Sequence, residues 1–194
     1  MNQESSKKTD KCIVCNSPVE FFTRSKDRHY HHDKEYDVCQ CTNCQLVFLN
    51  PMITDAELFS AYPTDYYDEE KVVSTRFKKT KKLFRWLFMH IQAGDLTKVD
   101  YKGLNVLDLG VGDGSSLDIV REKGATTSGV EINEWLQKSA VEKGHDVYLG
   151  SLLAAKYPAG SFDFIRSNHS FEHLNNPVET IIECERVLKK GGRI

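Results

Sequence analysis

From Leu104 onward the chain alternates short apolar runs with segments in which apolar residues recur every three or four positions. The runs predict strands over 104–109, 126–131, 146–149 and 162–167, and the amphipathic segments predict helices over 114–123, 133–143 and 177–189. Such alternation makes an α/β domain with a doubly wound, Rossmann-like parallel sheet. Gly124 and Gly144 stand just past two of the helices, where a residue at positive φ closes the last turn.

The first hundred residues read differently. Tyr36 to Cys41 has the pattern of a strand, and Thr54-Asp55-Ala56-Glu57 is a capping box that opens a short helix through about Ala61. Residues 72–92 predict a longer helix, with Phe77, Phe84, Leu87, Phe88 and Ile91 near one face. Arg76, Lys78, Lys79, Lys81, Lys82 and Arg85 make a basic run on it. The commoner use of such a helix is core packing with its lysines in water, and contact with an anionic substrate or a membrane surface is the alternative. The expected organisation is a small module over 1–53, a helical linker or lid over 54–100, and the α/β domain over 101–194.

One stretch combines strand, turn and helix start. Val106, Leu107 and Leu109 supply the apolar run of a strand covered on both faces, and Asp108 interrupts it. Gly110, Gly112 and Gly114 follow at alternate positions, where the lack of a Cβ lets the backbone turn and come close to a ligand. A carboxylate at that end of a strand is placed to meet a polar ligand at the carboxyl edge of the sheet. Ser115 stands where a dinucleotide fingerprint has its third glycine, which tilts the reading away from NAD.

A formal charge of -2 over 194 residues offers no global attraction for nucleic acid. The polar start, Met1 to Asp10, has no apolar signal core, and no uninterrupted apolar run matches a bilayer in length. The cytoplasm is the expected location, so the six cysteines point to metal before disulfides. Cys12-x-x-Cys15 and Cys41-x-x-Cys44 have the two-knuckle spacing of a structural zinc site with four cysteine ligands. Cys39 is the competing ligand, two residues before Cys41, and His29, His31 and His32 are read as solvated.

The motif D-x-G-x-G-x-G over Asp108–Gly114 resembles motif I of the class I S-adenosylmethionine-dependent methyltransferases. The resemblance implies that Glu131, closing the second strand, grips the ribose hydroxyls, as two acceptor oxygens suit two vicinal hydroxyls. It places Ser151 and Leu152 beside the adenine, where the family commonly has an aspartate, and Ser167 and Asn168 beside the methionine portion. Glu172-His173-Leu174 is similar to the tripeptide that follows the fourth strand in this family. His173 is the implied base, oriented by Glu172, with His169 close by, since a histidine exchanges protons near neutral pH. The other reading of these histidines is bonding to backbone after the strand.

Gln45-Leu46-Val47-Phe48-Leu49-Asn50-Pro51 resembles the linker of bacterial methyltransferases that begin with a zinc-ribbon-like module, a group that includes sugar C-methyltransferases. In that group Tyr66 and Tyr67 are substrate or cofactor contacts, or aromatic packing between domains. The implied activity is methyl transfer to a small molecule or glycan, such as a nucleotide-linked sugar. A zinc-bearing RNA-binding or RNA-methylating protein and an inactive methyltransferase-like fragment are the alternatives. The last residues, Leu188 to Ile194, are similar to the turn before a fifth strand in a sheet of seven. They predict an incomplete domain whose open sheet edge favours self-association.

Overall fold

The computed structural model describes residues 7–26, 34–54, 57 and 99–194. The expectations for His29, His31, His32, Tyr66, Tyr67, the helix through Ala61 and the helix over 72–92 lie outside those residues. The chain divides into two compact units, Met1–Ser74 and Thr75–Ile194.

The first unit is a three-stranded antiparallel sheet of β1 (Val19–Lys26), β2 (Glu35–Cys41) and β3 (Val47–Leu49), in that order. β1 meets β2 from Val19 opposite Cys41 to Lys26 opposite Glu35, with a bulge between Phe21 and Thr23. Among the described residues of this unit, Cys12, Cys39, Cys41, Phe48 and Asn50 are buried. Asn50 ties the end of β3 to the segment before Cys12, accepting from Thr9 N at 2.9 Å and donating to Thr9 O at 2.6 Å. Past β3 the capping box forms: Thr54 N and Oγ1 donate to Glu57 Oε2 at 2.9 and 3.1 Å, and Glu57 N donates back to Thr54 Oγ1 at 3.2 Å. An apolar core of that size, taken over the described residues, gains from a further staple.

The second unit runs β4 (Asn105–Leu109), α1 (Ser115–Glu122), β5 (Thr126–Glu131), α2 (Glu134–Glu142), β6 (Asp146–Leu149), α3 (Leu152–Ala155), β7 (Phe162–Ser167), a 3-10 turn (Phe171–His173), α4 (Pro177–Val187) and β8 (Leu188–Arg193). Its five strands are all parallel, in the order β6-β5-β4-β7-β8. Alternation along β4 divides the core between the two sheet faces. Leu107 and Leu109 join Val130, Leu152, Ile165, Cys184 and Val187 on one face, while Val106 joins Tyr101, Ile119, Val120 and Ala125 on the other. Asn133 caps α2, its side chain accepting from Trp135 N and Leu136 N.

Leu188 to Arg193 correct one expectation. They are not the turn before a fifth strand but the strand itself, since Leu188 leaves α4 already extended and pairs with Phe162. The Lys-Gly-Gly run is absorbed by a register shift before Arg193 reaches Phe164. A bulge there costs little because Gly191 adopts φ 82 without a Cβ penalty.

Candidate functional site

Strand order reverses at β4, which has β5 on one side and β7 on the other. Crevices at the carboxyl ends of strands flanking such a point are where open α/β sheets bind ligands. At that point Gly110, Gly112 and Gly114 adopt φ of 72, 61 and 81, and the loop is tied to β5 by Gly110 N and Val111 N, which donate to Val130 O at 2.9 and 3.2 Å. Gly129 in β5 permits that approach: a Cβ on it would sit 2.0 Å from Val111 Cγ2.

The three glycines of the loop differ in what they face. A Cβ on Gly110 would lie 2.6 Å from Ser170 Cβ, and one on Gly114 would lie 3.0 Å from both Ala140 Cβ and His145 Cδ2. A Cβ on Gly112 meets nothing within 4 Å. Gly112 is therefore the glycine whose bare backbone faces open space, as a cradle for a ligand requires.

Glu131 is buried at the end of β5, and its carboxylate spans the loop and the next helix. Oε2 accepts from Gly112 N at 2.8 Å and Oε1 from Asn133 N at 2.8 Å. The side chain is thus held rigid with lone pairs to spare, because each carboxylate oxygen can accept a second bond. Ile132, next in the chain, keeps 42% of its surface exposed.

Asp108 is 2% exposed and accepts from Ser116 Oγ at 3.2 Å and from Arg166 Nη1 at 3.0 Å, both on Oδ2. Burial pushes its carboxyl up to about 6 against the opposing pull of Arg166. Asp113, in the loop, goes the other way: despite its burial, bonds from Lys143 and Ser115 hold it down at about 2. Arg166 and Ser170 are the residues that sequence reasoning missed. The first is the register partner of Asp108 on β7, and Ser170 Oγ donates to Leu109 O at 2.6 Å and bonds Ser167 Oγ at 2.8 Å. Strand register makes the first partnership and the loop after β7 the second, and no local pattern shows either.

Ser151 caps α3, accepting from Ala154 N at 3.3 Å, and Leu152 is buried in the core at 3% exposure. Ser167 ends β7 beside Leu109, and Asn168 is exposed. His169 is exposed at φ 51 with Nδ1 3.7 Å from Glu172 Oε1. Glu172 and His173 are exposed on the 3-10 turn, where His173 N donates to Ser170 O.

A model of the family described as methyltransferase domain matches residues 107–194. Over that segment the chain is similar to methyltransferase domains. Its relatives include a ubiquinone biosynthesis O-methyltransferase from Thiobacillus denitrificans, 32% identical over 103 residues, which are 50% of this chain and 44% of that protein. An uncharacterized methyltransferase from Geobacillus sp. is 36% identical over 97 residues, 47% of this chain and 46% of the relative. The chain thus spans about half the length of these curated relatives. Among solved structures, one from Methanococcus maripaludis assigned to the S-adenosyl-L-methionine-dependent methyltransferases superposes with a TM-score of 0.50. It is 16% identical and covers 59% of this chain and 57% of that one, a likeness of fold.

The first unit gathers Cys12, Cys15, Cys41 and Cys44, with all four sulfurs within 4.8 Å of one another. Cys12 and Cys44 sulfurs are 3.6 Å apart, and those of Cys15 and Cys41 are 3.4 Å apart. Four sulfurs about 2.3 Å from a tetrahedral centre would be spaced by about 3.8 Å, so the set fits zinc. Backbone N–H groups of Val14, Asn43 and Cys44 point at the sulfurs at 3.4 Å, as expected around thiolates. Bonds from the Ser17 side chain and backbone hold Cys15 down at about 5. Cys44, although a bond from Leu46 pulls it down, is pushed up to about 12 by burial and the neighbouring thiols. Without a cation between them, four clustered thiols cannot all ionise. Cys39 is outside the cluster, buried in β2 with Asn50 Nδ2 3.5 Å from its sulfur. Only the last residue of β2, Cys41, reaches the turn where the second knuckle closes.

Among the described residues no helix is long and apolar enough to cross a membrane.

Proposed function

We propose that the protein transfers the methyl group of S-adenosylmethionine to a small molecule or glycan, with a nucleotide-linked sugar as the first acceptor to try. The observation that carries the cofactor half is the bond between Gly112 N and Glu131 Oε2 at the strand-order reversal. It fixes a carboxylate beside the one loop glycine that faces open space.

In this reading Glu131 accepts from the ribose hydroxyls while keeping its backbone partners, and Ile132 offers an apolar face to the adenine. Ser151, whose oxygen already accepts from Ala154, has its hydroxyl proton left to donate to the base edge. Leu152 supports that wall from within the core. Asp108, Ser167 and Asn168 lie toward the methionine end, with Gly110, Gly112 and Gly114 supplying bare backbone. Bound there, the cofactor supplies a methyl group made electrophilic by its sulfonium. The protein's share is alignment of acceptor, methyl carbon and sulfur, with His173 or His169 removing the acceptor's proton. Both histidines are exposed on the loop after β7, and Glu172 is within reach of His169.

A second reading changes the acceptor atom. Several relatives are named ubiquinone biosynthesis O-methyltransferase, which favours a hydroxyl over a carbon. The near-neutral charge argues against RNA in either case. In the first unit Cys12, Cys15, Cys41 and Cys44 would hold one structural zinc, whose binding supplies folding energy the small core lacks.

Calorimetry with S-adenosylmethionine and S-adenosylhomocysteine tests the cofactor reading, with about tenfold weaker binding expected for Glu131→Ala. A folded chain that binds neither compound overturns it. Radiolabelled methyl transfer by the full-length protein to nucleotide sugars and to phenolic hydroxyls decides the acceptor.

A further inference from the structure

The Arg166 side chain has a single hydrogen-bond partner among the described residues. Its Nη1 donates to Asp108 Oδ2 at 3.0 Å, although the side chain is only 11% exposed and a guanidinium carries five N–H donors. None of its spare donors is sealed from solvent without a partner, so they stay open to a ligand. On Asp108 the pattern is complementary. Ser116 and Arg166 both bond Oδ2, and Oδ1 accepts from no described side chain.

The pair therefore presents an unused acceptor and unused donors side by side. They share one rung of β4 and β7, one residue before the Leu109–Ser167 rung that ends the strands. Lys143, another cation near the loop, is committed to Asp113 and Ser115 at 2.9 Å. A ligand group carrying both charges, an α-ammonium and an α-carboxylate, would complete both halves at once.

We propose that Arg166 is the residue that binds the carboxylate of the cofactor's amino-acid end, so that the Asp108–Arg166 pair selects for the intact zwitterion. The inference rests on the cofactor reading above and deepens it. Planar N–H groups suit a carboxylate, and recognition inside a partly desolvated crevice penalises a ligand that lacks it.

The test compares S-adenosylmethionine with its decarboxylated form, and with 5′-methylthioadenosine, which lacks the whole amino-acid end. The wild-type chain is expected to bind S-adenosylmethionine about 10- to 100-fold more tightly than the decarboxylated form. Arg166→Met should shrink that ratio to about threefold or less with 5′-methylthioadenosine affinity kept, and Arg166→Lys should restore part of it. Equal wild-type affinity for the two sulfonium compounds overturns the inference while leaving the cofactor reading standing. So does an undiminished ratio in Arg166→Met. Failure of all three adenosyl compounds to bind a folded chain overturns both. Where Arg166→Met does not fold, the wild-type ratio and Arg166→Lys decide.

Discussion

Glu131 and Gly112 are joined side chain to backbone at 2.8 Å, so the carboxylate and the glycine loop are fixed relative to each other before any ligand arrives. Preorganisation of this kind lowers the ordering cost of binding. It also makes the loop's glycines separable by experiment.

Gly112→Ala places a methyl in open space at φ 61, a backbone strain of about 1 to 2 kcal/mol. The chain should stay folded in urea titrations and lose cofactor affinity. Gly110→Ala adds a contact at 2.6 Å from Ser170 Cβ, so it should cost more stability than Gly112→Ala by about 1 to 3 kcal/mol. Equal stability of the two variants would contradict this geometry.

Asp108 links stability to pH. Its folded value of about 6 lies above the ordinary 3.8, so the folded chain binds more protons between those limits than the unfolded one. The stabilising contribution is complete below about pH 4 and is lost as pH rises through 6, about 3 kcal/mol in all. Asp108→Asn should abolish this part of the pH dependence, visible when unfolding of both proteins is compared at pH 4.5 and 7.5. The same carboxylate would be needed ionised for an ammonium, so cofactor affinity in wild type should fall below about pH 6.

The cysteine cluster predicts about one zinc per chain by elemental analysis. Cys12→Ser and Cys44→Ser should each lose it and with it the fold of the first unit, seen as loss of its strand signal in circular dichroism. Cys39→Ser should retain the metal, because Cys39 is outside the four-sulfur group. Full retention in Cys12→Ser would refute the assignment.

The histidines of the β7 loop divide into base and bystander. In the full-length protein, removal of the base should lower kcat by about 10²- to 10⁴-fold without changing cofactor affinity. His173→Ala is expected to show this loss and His169→Ala a smaller one. The reverse order would assign the base to His169, which has Glu172 at 3.7 Å.

The alternation of apolar runs and amphipathic segments determined four of the five strands and three of the four α-helices of the second unit within a residue or two, because both periods are local properties of the chain; the four-residue α3 is too short to show one. Glycine spacing likewise determined the turn after β4, and cysteine spacing the two knuckles, since each is confined to a few neighbouring residues. Leu188–Arg193 was misread because a Lys-Gly-Gly run looks like a turn until a neighbouring strand supplies hydrogen bonds. Arg166 beside Asp108 and Ser170 beneath Gly110 had no local signal at all: they are 58 and 60 positions apart in the chain, counted from the residue numbers. Cys39 looked like a ligand by position and lies outside the four-sulfur group, buried in β2. What the sequence determined was everything encoded in short-range period and spacing. Tertiary structure alone decided which distant side chains share a strand rung, because parallel register is set by the burial of whole strands.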